Sequence, residues 1–186
     1  MKCSIVRHRI LLSTLLLSFT ALLLSPGNAE EWKRVSSIDG SISALFPVDI
    51  RENLQTQTDK TLAGKVTSSF GEYHGDGILV AGSGADIPFL ARAAGDAAIF
   101  KGSKQTFLDQ AEGTEISFVE TTVGGAPARE LIYKGAAYRG AGEPYQGRAI
   151  FVIVNKRIYI INSVISKPTA ENKAVEEKLL NSIEIG

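Results

Sequence analysis

Outside the first 29 residues the chain has a single imidazole, His74. The run Glu72-Tyr73-His74-Gly75-Asp76 sets a carboxylate two residues to either side of it. Side chains alternate between faces in an extended chain, so Glu72, His74 and Asp76 would share one. Two carboxylates and an imidazole suit a divalent cation such as Mn or Zn. A plainer account competes: a polar strand end runs into Asp76-Gly77, where aspartate serves turn chemistry. With Asp76 in the turn, its carboxylate would point away from the other two. We prefer that account and expect no cofactor, keeping Mn or Zn on Glu72, His74 and Asp76 as the alternative.

Other chemistries are poorly supplied, and no catalytic residue is assigned. A serine nucleophile needs a base beside it and an oxyanion pocket, and His74 is the one candidate base of that kind. Gly82-Ser83-Gly84 lacks the flanking glycine pattern of a nucleophile elbow and reads as a strand-to-helix joint. The same glycines before a helix could offer backbone N–H groups to an anion. Neither the dinucleotide-binding nor the phosphate-loop pattern is complete, so turn and hairpin service explains them better. Paired-carboxylate chemistry could draw on Asp86, Glu115, Glu120 or Glu130, but residue type alone pairs none of them. The segment 135–147 is more suggestive. Tyr138, Arg139, Glu143 and Tyr145 lie there among glycines and a proline, with Arg148 just beyond. Tyrosine and arginine are enriched at binding hot spots, and glycine-rich loops adapt to partners. Tyr138, Arg139, Tyr145 and Arg148 are therefore the candidate partner-binding residues. The competing account is an ordinary hairpin loop whose aromatic rings fold back on the sheet.

The elements that must position these residues are mostly strands. Trp32 to Ile38 and Ile42 to Phe46 flank Asp39-Gly40, a strong hairpin signal, and Pro47 ends the second strand. Residues 51–58 and 65–73 are two more candidate strands, and Asp76-Gly77 leads into Ile78-Leu79-Val80-Ala81. From Asp86 to Ala111 apolar residues recur at spacings of three and four: Phe89, Leu90, Ala93, Ala97, Ile99, Phe100, Phe107, Leu108 and Ala111. That spacing predicts one or two helices packed on the sheet, divided at Gly102-Ser103. A small apolar ligand between this helix and the sheet is conceivable, but a helix–sheet core is preferred. Residues 115–122 and 128–133 form a hairpin across Gly124-Gly125-Ala126-Pro127. Residues 147–154 and 157–165 form another across Asn155-Lys156. The last two strands are nearly continuous apolar runs, as expected for a covered sheet centre. Val175, Leu179 and Ile183 mark an amphipathic helix over 170–182. Six to eight strands, mostly in hairpins, with helices in the middle and at the end, predict an α+β fold with a single antiparallel sheet flanked by helices.

The first 29 residues read as a secretory signal peptide. They comprise a basic start (Lys2, Arg7, Arg9), an apolar stretch from Ile10 to Ser25, Pro26, and Gly27-Asn28-Ala29 before Glu30. An uncleaved anchor helix competes, but this run falls short of the ~20 apolar residues that a bilayer core needs. The cut site has no cysteine, which argues against a bacterial-type lipid anchor. Residues 30–186 are expected to form one domain, periplasmic or secreted, touching a membrane only through the leader before cleavage. The whole chain carries 20 Lys+Arg against 20 Asp+Glu. Taking away the leader's three cations leaves a slightly acidic remainder, which argues against nucleic acid as partner. Cys3 and Met1 also belong to the leader, so disulfides, thiol chemistry and cysteine-ligated metals are ruled out beyond it.

Four stretches in order carry a resemblance. Trp32-Lys33-Arg34-Val35-Ser36-Ser37 with Asp39-Gly40-Ser41-Ile42-Ser43-Ala44-Leu45-Phe46-Pro47 is similar to the opening hairpin of the PsbP-like family, which ends in Phe-Pro. Gly125-Ala126-Pro127-Ala128-Arg129-Glu130-Leu131 resembles its Gly-x-Pro-x-Arg-Glu hairpin. Arg148-Ala149-Ile150-Phe151-Val152 with Asn155-Lys156-Arg157-Ile158-Tyr159 resembles its central hairpin. Leu180-Asn181-Ser182-Ile183 resembles its closing Leu-x-Ser-Phe, with isoleucine in place of phenylalanine. The resemblance implies an α/β/α sandwich and a non-catalytic accessory or binding role. For an exported chain, that means contact with another envelope protein.

Overall fold

The computed structural model describes residues 31–51, 56–57, 67–137 and 143–186. The expected leader, most of the 51–58 strand, Tyr138 and Arg139 lie outside the described residues.

In chain order the elements are β1 (Trp32–Ser36), β2 (Ile42–Pro47), β3 (Thr56–Gln57), β4 (Thr67–Gly75), β5 (Ile78–Asp86), α1 (Phe89–Ala93) and α2 (Asp96–Ala111). After these come β6 (Gly113–Val123), β7 (Ala126–Gly135), β8 (Tyr145–Val154), β9 (Arg157–Ile165), α3 (Ala170–Asn181) and β10 (Glu184–Ile185). The class is α+β, and every strand pair is antiparallel. The strands divide into a seven-stranded sheet, β3-β4-β5-β9-β8-β7-β6, and a three-stranded sheet, β1-β2-β10.

The long apolar runs of β8 and β9 sit at the middle of the larger sheet because both of its faces are covered. On one face Ile150, Val152, Tyr159 and Ile161 pack with Ile42 and Phe46 of the smaller sheet and with Val175 and Leu179 of α3. On the other, Ala149, Phe151, Ile158 and Val164 pack with Ile99, Phe100 and Leu108 of α2. Register there is set by a two-residue turn in which Asn155 and Lys156 both take positive φ, 49° and 66°. Val154 thereby meets Arg157, and the turn's twist matches that of the strands.

The helical segment departs from expectation in two ways. It breaks at Gly95, whose φ of 86° no helix accommodates, while Gly102 lies inside a continuous α2 with open space where a side chain would be. Phe89 and Leu90, expected on the sheet-facing stripe, are 73% and 81% exposed. The core is met by Ile99, Phe100, Leu108 and Ala111 instead.

Candidate functional site

In the β4–β5 hairpin His74 and Glu72 do share a face, and His74 Nε2 lies 2.6 Å from Glu72 Oε1. Asp76 does not join them. It occupies the two-residue turn with Gly77 at φ 76°, which ends the strand alternation. There Lys167 Nζ donates to Asp76 Oδ1 at 2.6 Å. That hydrogen bond raises the pKa of the exposed Lys167 ammonium. Among the described residues no group of three or more His, Cys, Asp or Glu side chains could hold a metal ion.

The four other carboxylates considered for acid–base work each face a cation rather than one another. Asp86 meets Arg157 at 3.3 Å, Glu115 meets Lys104 at 2.5 Å, Glu120 meets Arg129 at 2.5 Å and Glu130 meets Arg148 at 2.5 Å. Gly82-Ser83-Gly84 is no strand-to-helix joint but the interior of β5. A Cβ at Gly82 would stand 2.5 Å from the Phe70 ring, and one at Gly84 2.6 Å from the Tyr159 ring. Tyr145 crosses Gly135 and Tyr133 crosses Gly147 in the same way. These glycines let aromatic rings lie flat across the sheet, a service that a turn-based reading of them misses.

Arg148 and Tyr145 border a cleft of about 360 Å³ between the start of β8 and the first turns of α3. Gln146 and Arg148 line its sheet side, Lys173, Glu176 and Glu177 its helix side, and Pro144 its rim. Arg148 Nε and Nη2 both donate to Glu130 Oε1, at 3.0 and 2.5 Å, and Arg148 Nη1 lies 3.6 Å from Glu176 Oε2. The buried Ser163 hydroxyl donates to the other oxygen of Glu176. Burial works against the Arg148 charge, but the hydrogen bonds that Arg148 donates to Glu130 and the two nearby carboxylates outweigh it and raise the pKa. The guanidinium is thereby fixed as a cation. Partly exposed ion pairs of this kind add little stability.

Tyr145 is oriented as the competing hairpin-loop account expects, with its ring folded back on the sheet. Its ring is 4% exposed in the core beside Tyr133, and its hydroxyl donates to the Ala111 carbonyl at 2.5 Å. It braces the cleft from behind because residue 145 falls on the face of β8 opposite Gln146 and Arg148. The residues that sequence reasoning missed are Ser163, Lys173 and Glu176. Ser163 is concealed in an apolar run, and the two charged residues resemble the solvated face of an amphipathic helix. The one available signal was a polar residue at an otherwise apolar strand position.

No family model matches the sequence, and no curated protein does. Among solved structures, cyanobacterial PsbP (CyanoP) from Synechocystis sp. PCC 6803 superposes with a TM-score of 0.56. The match has 12% identity and covers 88% of this chain and 99% of that one. The fold is PsbP-like. The Ran-binding protein Mog1p of Saccharomyces cerevisiae is a more distant neighbour, with a TM-score of 0.45 and 11% identity, covering 84% of this chain and 96% of that one. In the PsbP-like fold as this chain builds it, the cleft lies where α3 crosses the strands that carry Arg148 and Ser163.

Proposed function

We propose that the protein is an exported, non-catalytic binding domain that contacts another envelope protein through the cleft between β8 and α3. The observation that carries this reading is the cleft's lining. Charged side chains of both signs, with Gln146 and the apolar Pro144, Ile165 and Pro168 beside them, surround Arg148, itself held by Glu130 and Glu176. A mixed, charged rim around an ordered arginine suits a polypeptide. Tyr138 and Arg139, the other two candidate partner-binding residues, stand a few positions before Pro144 in sequence and lie outside the described residues.

The test is cross-linked capture from the native envelope with wild type, Lys173→Glu/Glu177→Lys and Lys101→Glu. Both cleft side chains and Lys101 are exposed, so folding is preserved. One envelope protein captured by wild type and by Lys101→Glu, and lost from the cleft variant, supports the reading. Equal capture by all three removes the cleft. Tyr138→Ala/Arg139→Ala tests the loop in the same way.

A second reading, a divalent-metal binder centred on His74, draws on the 2.6 Å Glu72–His74 contact. It expects a rise in melting temperature with Mn or Zn that His74→Ala abolishes. Equal shifts in the two proteins would remove it.

A further inference from the structure

We propose a second contact surface, on α1, that takes a lipid bilayer with anionic headgroups. Phe89 and Leu90 are the two most exposed large apolar side chains among the described residues, at 73% and 81%. They project from a five-residue helix in which no residue is buried. Pro88 precedes that helix and Gly95 ends it. From Phe89 to Ala98 every residue but Ala91 is exposed, so the pair forms a protrusion rather than one wall of a groove. Large apolar side chains left in water together mark a contact site. A protrusion of this shape fits a medium that deforms around it, whereas a protein partner would need a matching pocket.

Charge points the same way. The Arg92 guanidinium sits 5.9 Å from the Phe89 ring centroid. Exposed Lys156 is tied to the segment through its carbonyl, which accepts from the Ile87 N–H at 3.0 Å. Beside these two cations the segment carries two exposed carboxylates, Asp96 and Asp86, and Asp86 is neutralised by an ion pair with Arg157 at 3.3 Å. An aromatic ring and a leucine in the acyl boundary, with basic groups at the phosphates, is the arrangement of interfacial segments. No helix among the described residues is long and apolar enough to cross a membrane. The α1 surface is also independent of the cleft. Ala91 of α1 packs with the α2 face of the larger sheet, and the cleft opens on the face that α3 covers.

The experiment uses the full chain with Cys3→Ser and a single labelled cysteine, either Leu90→Cys or Val119→Cys. Each carries an environment-sensitive fluorophore and is mixed with phosphatidylglycerol–phosphatidylcholine vesicles that bear a lipid nitroxide quencher. Val119 is an exposed control far from α1 in sequence, 49% accessible on β6. The leader can hold any of these proteins on a vesicle, but only insertion of α1 moves the probe at 90. The expected result is a blue shift and quenching at position 90 and neither at 119. The shift should weaken about tenfold in lipid concentration with Phe89→Ser and about fivefold with Lys156→Ala. A probe at 90 that stays in water on vesicles overturns the proposal, as does an equal response at 119. A shift that grows with protein concentration without lipid assigns the surface to a second copy of the chain and also overturns it.

Discussion

Asp39 shows how single side chains join the two sheets. Its carboxylate accepts from Ser37 Oγ at 2.7 Å, from Ser41 through backbone and hydroxyl, and from the buried Tyr159 hydroxyl at 2.6 Å, with Arg157 3.5 Å away. Burial pushes its pKa up, but the hydrogen bonds from Tyr159, Ser37 and Ser41 outweigh that and hold it well below the ordinary 3.8. The folded-state value is the lower one. The carboxylate's contribution is therefore complete above the unfolded value and is lost as pH falls below about 4 toward the folded value. Asp39→Asn should cost about 1–2 kcal/mol at neutral pH. Urea melts at about pH 7 and about pH 3 should show wild type and variant converging in acid; a constant gap would mean that the charge is not what matters. The glycines under rings are the other residue-scale device. Gly84→Ala would drive a methyl into the Tyr159 ring, and denaturant melts should show a loss of about 1–3 kcal/mol. The sequence shows that Gly82 and Gly84 stand in an apolar neighbourhood. It cannot show that Phe70 and Tyr159 come from other strands to cover them.

At the scale of elements, the hairpins around Gly77, Gly125 and Asn155-Lys156 were legible from local chemistry, because positive φ and two-residue turns leave a signature in a few adjacent residues. The helical segment was less legible. Gly95 and Gly102 look alike in sequence, yet one ends a helix and the other rides on its exposed side. Gly102→Ala should therefore stabilise α2 by about 0.5–1 kcal/mol, raising the midpoint by about 2–4 °C per kcal/mol in a thermal scan. Gly95→Ala should lower it, since φ 86° is strained for any side chain. Finding the same sign for both would contradict the placement of the break. Edge strand β6 carries its own protection: a bulge between Glu115 and Ser117 and exposed Glu120 interrupt the flat edge that would invite pairing with another chain.

For the whole molecule, the short C-terminal strand matters beyond its length. Glu184 and Ile185 pair with Ser43 and Ile42, Arg34 reaches Glu184 at 2.9 Å, and the Gly186 N–H donates to the Ser41 carbonyl at 3.1 Å. Ile185 also packs against the β6–β7 turn at Gly124, so one strand links the smaller sheet to the larger. Ending the chain at Ile183 should cost about 1–3 kcal/mol, read as a lower midpoint in thermal and urea melts; an unchanged midpoint would show that this strand is not the link. The sequence by itself determined the strand-rich α+β class, most hairpins, the two covered central strands and the shared face of Glu72 and His74. All of these follow from periodicity and turn chemistry within a few residues of each other. Only the tertiary structure decided that Asp76 turns to Lys167, that Tyr145 faces the core while Arg148 faces a cleft, and that Phe89 and Leu90 stand in water. Each of these depends on which distant strand or helix arrives on which face of the sheet, and contacts across such separations leave no mark in local spacing.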